Sequence, residues 1–130
     1  MNIRKYCSIL VDGKGVLRLG KNVFFNNYCA VTCHGEIEIG ENTLFGEGVK
    51  MYDHNHLYNN EGGTLNVDRR QMTVGKIKIG KNCWIASNVT ILKDVEIGDN
   101  VIVGAGCLVY KSIPSNAIVK SNQSTTIKVV

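Results

Sequence analysis

An aliphatic residue returns every six positions through the second half of this chain. The repeat falls on Ile79, Ile85, Ile91, Ile97, Val103 and Val109. A period of six matches neither the 3.6-residue period of an α-helix nor the two-residue period of a simple strand. Such a period is typical of short strands that are joined by tight turns and stacked as coils. The pattern therefore predicts an all-β fold, a parallel β-helix.

The same motif opens four segments of the chain, residues 17–31, 37–51, 77–91 and 95–109. Each begins with two apolar residues around a variable one, followed by glycine, a variable residue and asparagine. Glycine and asparagine tolerate the left-handed backbone that a tight corner needs. We expect one domain over residues 1–130, built as a solenoid of about five coils. The expected parts are a first coil or cap over 1–16, repeat coils over 17–114 and a C-terminal cap over 115–130.

Irregular spacing marks where the repeat is interrupted. Successive segments begin 20, 40 and 18 residues apart. The first offset places a small insertion near residues 33–35, and the second places a long one at about residues 52–76. This second insertion is polar and contains Gly62-Gly63. Long loops in a compact domain are usually functional, so we expect a loop that leaves one corner of the coil and takes part in function.

Composition excludes several classes of protein. A hydrophobic content of 44% with 20% charged residues is that of a globular chain and not of a disordered one. No apolar run approaches the ~18 residues of a membrane helix, and residues 1–10 do not resemble a signal peptide, so we expect a cytoplasmic protein without membrane insertion. The net charge of +4 comes without a basic run, which argues against nucleic-acid binding. It leaves open an anionic small ligand or ordinary surface lysines.

The five cysteines are expected to be reduced and structural. Cys29, Cys83 and Cys107 fall where the repeat otherwise places valine or threonine, as small buried hydrophobic residues. Cys29 and Cys107 would lie three coils apart, at about 14 Å, which is beyond the reach of a disulfide. We predict neither a disulfide nor a metal site from them.

All three histidines lie at the two irregular corners. His34 follows Val31 by three residues and His54 follows Met51 by three, so the two should stack in adjacent coils about 4.8 Å apart. His56 lies where the long insertion leaves the coil. Histidine is the side chain suited to take up a proton near neutral pH, so this corner is a candidate site for base catalysis.

These features resemble the hexapeptide-repeat acyltransferases, in particular the galactoside and maltose O-acetyltransferases and their polysaccharide-tailoring relatives. The resemblance rests on the repeats and on three family motifs, Trp-Ile-Ala-Ser at 84–87, Gly-Ala-Gly at 104–106 and Val-Tyr-Lys-Ser-Ile-Pro at 109–114. It implies a left-handed β-helix that forms homotrimers with active sites between subunits. The implied activity is transfer of an acetyl group from acetyl-CoA, without a metal, to a sugar hydroxyl of a polysaccharide or glycan precursor.

Matching the family motif residue by residue implies that His56 is the general base, although the family's His-Pro is here His56-Leu57. Asp53 or Glu61 could orient its imidazole, and His54 is the alternative base. For the acceptor, the resemblance implies a contact at Asn26 and another beside His34. We thus predict an acceptor site made of Asn26, His34, Asp53 and His54.

The resemblance also implies a coenzyme site. The oxyanion of the tetrahedral intermediate would bind the backbone N–H of Ser87 from the neighbouring subunit. Pantetheine would lie against Ala105 and Tyr110, with phosphate near Lys111 and with Lys128 replacing a family arginine. Trp84 is expected to point outward, where a subunit interface is favoured over a nucleotide contact. The family's C-terminal motif is replaced by Ser-Asn-Gln-Ser-Thr at 121–125.

Several alternatives remain open at this point. The acceptor could be the nitrogen of an amino sugar. The three histidines could hold zinc as in the γ-type carbonic anhydrases, which resemble this fold, although their His-x4-His spacing is absent. The chain could be an inactive scaffold. Arg69-Arg70 in the insertion could hold an anionic sugar or could be solvated.

Overall fold

A computed structural model describes all 130 residues of the chain. Seventeen short strands follow one another, and the one helical element is a 3-10 turn, η1, at Glu61–Gly63. No helix has the length and apolar character that crossing a membrane would require. The strands are β1 (Asn2–Ile3), β2 (Ser8–Val11), β3 (Val16–Leu19), β4 (Phe24–Phe25), β5 (Ala30–Cys33), β6 (Glu36–Ile39), β7 (Leu44–Phe45), β8 (Lys50–Tyr52), β9 (His54–Asn59), β10 (Asn66–Val74), β11 (Lys76–Ile79), β12 (Trp84–Ile85), β13 (Thr90–Ile91), β14 (Val95–Ile97), β15 (Ile102–Val103), β16 (Leu108–Val109) and β17 (Ile118–Val119).

The strands form the three faces of a left-handed parallel β-helix of about six turns. Face A has the order β1-β4-β7-β12-β15-β17, face B has β16-β13-β8-β5-β2, and face C has β14-β11-β6-β3. This confirms the predicted fold class. The coil extends further than predicted because β1 pairs with β4 and β17 pairs with β15, so both ends of the chain add a strand to face A. Residues 120–130 form no strand.

The six-residue repeat marks the interior of the coil. A single cluster of buried side chains runs along its axis, and Phe25 stacks on Phe45 with ring centroids 4.8 Å apart. Cys29, Cys83 and Cys107 are buried free thiols, as predicted. Burial raises the pKa of the Cys29 thiol to about 11. The aliphatic positions of the repeat are also buried: Ile79, Ile85, Ile91, Ile97, Val103 and Val109.

Asparagines turn the corners of the coil. Asn22, Asn42, Asn82 and Asn100 all have a φ between +55° and +59°. In this left-handed region asparagine is tolerated better than most side chains. Asn22 Nδ2 also donates a hydrogen bond to Asn42 Oδ1 in the next coil at 3.1 Å. The repeated Gly-x-Asn therefore fixes the turn and links adjacent coils.

The long insertion is a β-hairpin and not an irregular loop. Strand β9 pairs antiparallel with β10, and η1 lies in the connection between them. His54 pairs with Val74 at the base, and His56 pairs with Met72. The register then shifts, so residues 68–71 bulge out of β10 opposite Leu57. Antiparallel pairing gives the insertion its own backbone hydrogen bonds outside the coil.

Candidate functional site

The predicted site residues divide between the two long edges of face B. The first, here the histidine edge, joins face B to face C and consists of residues 12–15, 34–35, 53–75, 93–94 and 110–112. The second, here the small-residue edge, joins face A to face B and consists of residues 26–29, 46–49, 86–89 and 104–107. The strands of face B separate these edges, so residues on opposite edges do not meet within one chain.

A buried carboxylate organises the histidine edge. The side chain of Asp53 has no exposed surface. Its oxygens accept hydrogen bonds from the backbone N–H of His34 at 2.9 Å and of Gly35 at 2.8 Å. The Nδ1 of His54 lies 3.2 Å from Asp53 Oδ1. The carboxylate of Asp53 is therefore enclosed and its oxygens are occupied by the chain itself, and its contact with substrate stays a prediction.

His34 and His54 stack across adjacent coils. The register of β5 with β8 pairs Thr32 with Tyr52, which brings the residues two positions further along together. Their ring centroids lie 4.3 Å apart in an edge-to-face arrangement. The predicted juxtaposition of the two histidines is confirmed. Because Asp53 binds His54 and the amide of His34, it positions both residues.

His56 lies on β9 with its ring exposed, 6.4 Å from the ring of His54 between centroids. Its Nδ1 is 3.1 Å from the carbonyl oxygen of Asp68. A carbonyl oxygen only accepts, so Nδ1 carries the proton of the neutral ring and Nε2 keeps its lone pair. The sequence offers Asp53 or Glu61 to orient this ring, but neither side chain forms a hydrogen bond to it. The partner is Asp68, which the sequence pattern did not single out.

Asp68 also shapes the bulge of the hairpin. Its Oδ1 accepts hydrogen bonds from the backbone N–H of Arg70 at 2.8 Å and of Gln71 at 2.9 Å. The hydrogen bonds from the N–H groups of Gln71 and Arg70 hold the pKa of this carboxyl below its usual range. The side chain of Asp68 thus fixes residues 68–71, while its carbonyl fixes His56.

The small-residue edge carries Asn26, Ser87 and Ala105. Asn26 Oδ1 accepts a hydrogen bond from the N–H of Asn27 at 2.8 Å, which closes a local turn. The N–H of Gly106 donates to the carbonyl of Ser87 at 2.9 Å, so Ala105 and Ser87 belong to stacked turns. The N–H of Ser87 itself makes no hydrogen bond within the chain.

The other residues predicted to bind the coenzyme lie in three different places. Tyr110 and Lys111 directly follow β16 at the histidine edge, where Lys111 Nζ lies 5.5 Å from the centre of the Tyr110 ring. Tyr110 is thus on the opposite edge of face B from Ala105. Trp84 points outward from face A and is 53% exposed, as predicted. Lys128 lies in the segment without strands.

Face A carries an apolar column on its outer surface. The register of its strands aligns outward side chains from successive coils. Leu44, Trp84 and Ile118 are among the exposed large hydrophobic residues of the chain. The aligned residues are Phe24, Leu44, Trp84, Ile102 and Ile118.

The histidines do not assemble a metal centre within the chain. No group of three or more His, Cys, Asp or Glu side chains has the arrangement needed to hold a metal ion. The Nδ1 atoms of His54 and His56 are both engaged by oxygen atoms of the chain. The zinc alternative is not favoured.

Comparison with known proteins agrees with the repeat. The family described as bacterial transferase hexapeptide, six repeats, matches residues 76–111. A protein of Escherichia coli K12 named "Putative lipopolysaccharide biosynthesis O-acetyl transferase WbbJ" is 32% identical over 121 residues, which are 89% of this chain. The chain spans 62% of that relative's length.

Two solved structures share the fold. A maltose O-acetyltransferase from Clostridium difficile 630 has a TM-score of 0.73 at 32% identity, over 90% of this chain and 59% of its own. A galactoside acetyltransferase in complex with coenzyme A has a TM-score of 0.71 at 27% identity, over 90% of this chain and 58% of its own. The periodic coil, the family match and these relatives together show that the chain belongs to the hexapeptide-repeat family of bacterial transferases.

Proposed function

We propose that this protein transfers an acetyl group from acetyl-CoA to a hydroxyl of a sugar or glycan precursor, with His56 as the general base. The observation that carries the proposal is the geometry of His56, whose Nδ1 is held by the carbonyl of Asp68 while its ring is exposed on the hairpin. Relatives named as a lipopolysaccharide biosynthesis O-acetyl transferase and a maltose O-acetyltransferase support the reaction class. The related galactoside acetyltransferase binds coenzyme A, which supports the donor.

The proposed chemistry follows from the tautomer of His56. Nε2 takes the proton from the acceptor hydroxyl as its oxygen attacks the thioester carbon. A tetrahedral intermediate forms with negative charge on the former carbonyl oxygen, and an N–H fixed beside that oxygen stabilises it. The C–S bond then breaks, and the imidazolium returns its proton to the leaving thiolate. The acetyl ester and CoA are the products.

The proposed oxyanion donor is the N–H of Ser87, contributed by a neighbouring subunit of a homotrimer. Ser87 and His56 lie on opposite edges of face B, so two copies of the chain are needed to bring them together. The apolar column on face A, with Trp84 at its centre, supports association because such contiguous apolar surface marks interfaces. Ala105 and Tyr110 also lie on opposite edges, as do Asn26 and His34. Each pair would complete its site only across the interface.

In this proposal the remaining site residues bind the two substrates. Ala105 and Tyr110 contact pantetheine, while Lys111 and Lys128 attract the phosphates. Asn26, His34 and His54 contact the acceptor sugar, and Trp84 packs in the interface. We place the reaction in the cytoplasm, where the free thiols of the five cysteines would stay reduced.

The test is an assay of purified protein with acetyl-CoA and a matched pair of acceptors, glucose and glucosamine. Release of free CoA reports turnover, and alkaline hydroxylamine removes an O-acetyl ester but leaves an N-acetyl amide. We expect an ester product. An amide formed only on glucosamine would establish the alternative, N-acetylation of an amino sugar. Absence of both turnover and acetyl-CoA binding would overturn the proposed activity.

A further inference from the structure

Two arginines stand beside His56 without an assigned role. Arg69 and Arg70 occupy the bulge of β10, and neither forms an ion pair in the chain. We propose that the acceptor carries an anionic group, a phosphate or a carboxylate, which these two guanidinium groups hold while a nearby hydroxyl is presented to His56. This inference rests on the proposed function and names its substrate class.

The bulge has a defined shape, which the register of the hairpin and its hydrogen bonds determine. The pairing of His56 with Met72 and of Tyr58 with Val67 leaves residues 68–71 opposite Leu57 alone. Bonds from the N–H groups of Arg70 and Gln71 to Asp68 Oδ1 fix its shape. A bulge of this kind re-aims side chains away from the regular alternation of a strand.

Asp68 connects the arginines to the proposed base, His56. The carbonyl of Asp68, which lies 3.1 Å from His56 Nδ1, belongs to the peptide group that leads into Arg69. The position of the arginine pair is therefore coupled to the orientation of the imidazole. In the proposed complex the anion sits at the bulge while the reacting hydroxyl of the same sugar reaches Nε2.

Open cavities lie on both sides of the pair. Arg69 and Arg70 line a cavity of about 490 Å³ together with His34 and Asp12, at the histidine edge. They also line a cavity of about 640 Å³ along the hairpin. The first extends from the bulge to His34. Its volume is in the usual range for small-ligand sites.

The electrostatics of the first cavity favour an anion. Its lining holds two guanidinium groups and one carboxylate, that of Asp12, whose Oδ1 already accepts a hydrogen bond from the N–H of Gly13 at 2.7 Å. The Oδ1 atom of Asp68 accepts hydrogen bonds from two backbone N–H groups and from no arginine side chain. Guanidinium groups bind phosphate and carboxylate in a bidentate geometry, and these two have no such partner in the chain.

The test measures binding and turnover separately. Glucose, glucose 1-phosphate and glucuronic acid are titrated calorimetrically into wild-type protein and into the double variants R69Q/R70Q, R69K/R70K and K21Q/K78Q. The last variant removes the same charge from exposed lysines on or next to face C and is the matched control. Melting temperatures identify any variant that fails to fold. Acetyl transfer from acetyl-CoA to each sugar is then followed by CoA release.

We expect at least one of the anionic sugars to bind about tenfold more tightly than glucose. R69Q/R70Q should lose this preference, R69K/R70K should keep part of it, and K21Q/K78Q should stay within about twofold of wild type. The ratio between glucose 1-phosphate and glucuronic acid identifies which anion is preferred. Equal binding of neutral and anionic sugars, or an equal loss in the lysine control, would overturn the inference.

Failure of the inference and failure of the proposed function give different results. Acetyl transfer to glucose that is indifferent to the arginines would support the activity and overturn the anionic acceptor. Anion-selective binding lost in R69Q/R70Q, without acetyl transfer to any sugar, would support the arginine site and overturn the activity. Inorganic phosphate that binds as tightly as glucose 1-phosphate would show a site for free anion only and would also overturn the inference.

Discussion

The two edges of face B are made from the same repeat but differ in every property that matters for chemistry. On the small-residue edge, turns stack without interruption and carry side chains such as Ser87 and Ala105. On the histidine edge, the repeat is broken by a hairpin, and a fully buried carboxylate, Asp53, binds backbone N–H groups and an imidazole. The first edge offers a fixed backbone donor, and the second offers titratable side chains.

In the proposed mechanism, this difference separates two catalytic tasks. Stabilising an oxyanion needs a donor that does not move, and a turn held between neighbouring coils supplies one. Proton transfer needs a side chain that is accessible and held in one tautomer, and the hairpin carries the proposed base, His56. The coil prevents the two from meeting in one chain, so the proposed site depends on contact between different edges of neighbouring copies.

The largest effect is expected on the histidine edge. Replacing His56 with alanine removes the proposed base, so kcat should fall by about 10²- to 10⁴-fold. The melting temperature should stay close to that of wild type, because the ring is exposed. The measurement is steady-state CoA release at saturating acetyl-CoA.

His54→Ala is the matched comparison for that variant. It removes a neighbouring imidazole that binds Asp53, and we expect a smaller loss of kcat than in His56→Ala. A larger loss of kcat in His54→Ala, together with an unchanged kcat in His56→Ala, would show that His54 is the base. The assignment of His56 as the base would then be wrong.

The next largest loss of kcat is expected from a change on the small-residue edge. Replacing Ser87 with proline removes the backbone N–H, whereas Ser87→Ala keeps it. Proline is favoured before a residue with positive φ in a tight turn, and Asn88 has a φ of +58°. We expect Ser87→Pro to lower kcat by about 10²- to 10³-fold, the cost of one oxyanion donor, and Ser87→Ala to have little effect.

Glu47→Pro provides the control for backbone damage, because Glu47 precedes Gly48, with a φ of +69°, in the stacked turn of the adjacent coil. Its activity should remain close to wild type. Equal losses in Ser87→Pro and Glu47→Pro, or a large loss in Ser87→Ala, would remove the N–H of Ser87 from the mechanism.

Most of the fold could be predicted from the sequence because inward positions recur at a fixed interval. The position of each buried aliphatic residue in the repeat, such as Ile85 or Ile91, therefore assigns it to a particular coil and face. The same spacing predicted that His34 and His54 stack, since both follow an inward residue of the same face by three positions. Periodicity is a property of regular backbone. The regular backbone continues as far as the base of the insertion, so the repeat also predicts the position of His54 there.

The details of the site could not be predicted because they depend on irregular backbone. Whether Asp53 faces solvent or the chain is set by the N–H groups of His34 and Gly35, which turn toward it only at the interrupted corner. Asp68 approaches His56 because the hairpin bulges at residues 68–71. That bulge is itself held by the side chain of Asp68, and no repeat encodes it.

The smallest effect is expected on stability, in a comparison of two carboxylates on the histidine edge. Asp53→Asn should lower the free energy of unfolding by about 1–3 kcal/mol, because the amide offers one acceptor oxygen where two backbone N–H groups and an imidazole need partners. Asp94, one coil further on, is 61% exposed and binds the half-buried Lys93 side chain at 3.0 Å, so Asp94→Asn should change the free energy of unfolding by less than about 0.5 kcal/mol. Urea unfolding of both variants measures the difference. Equal changes in the free energy of unfolding in the two variants would mean that the buried hydrogen bonds of Asp53 do not stabilise the histidine edge. The hairpin alone would then organise this edge.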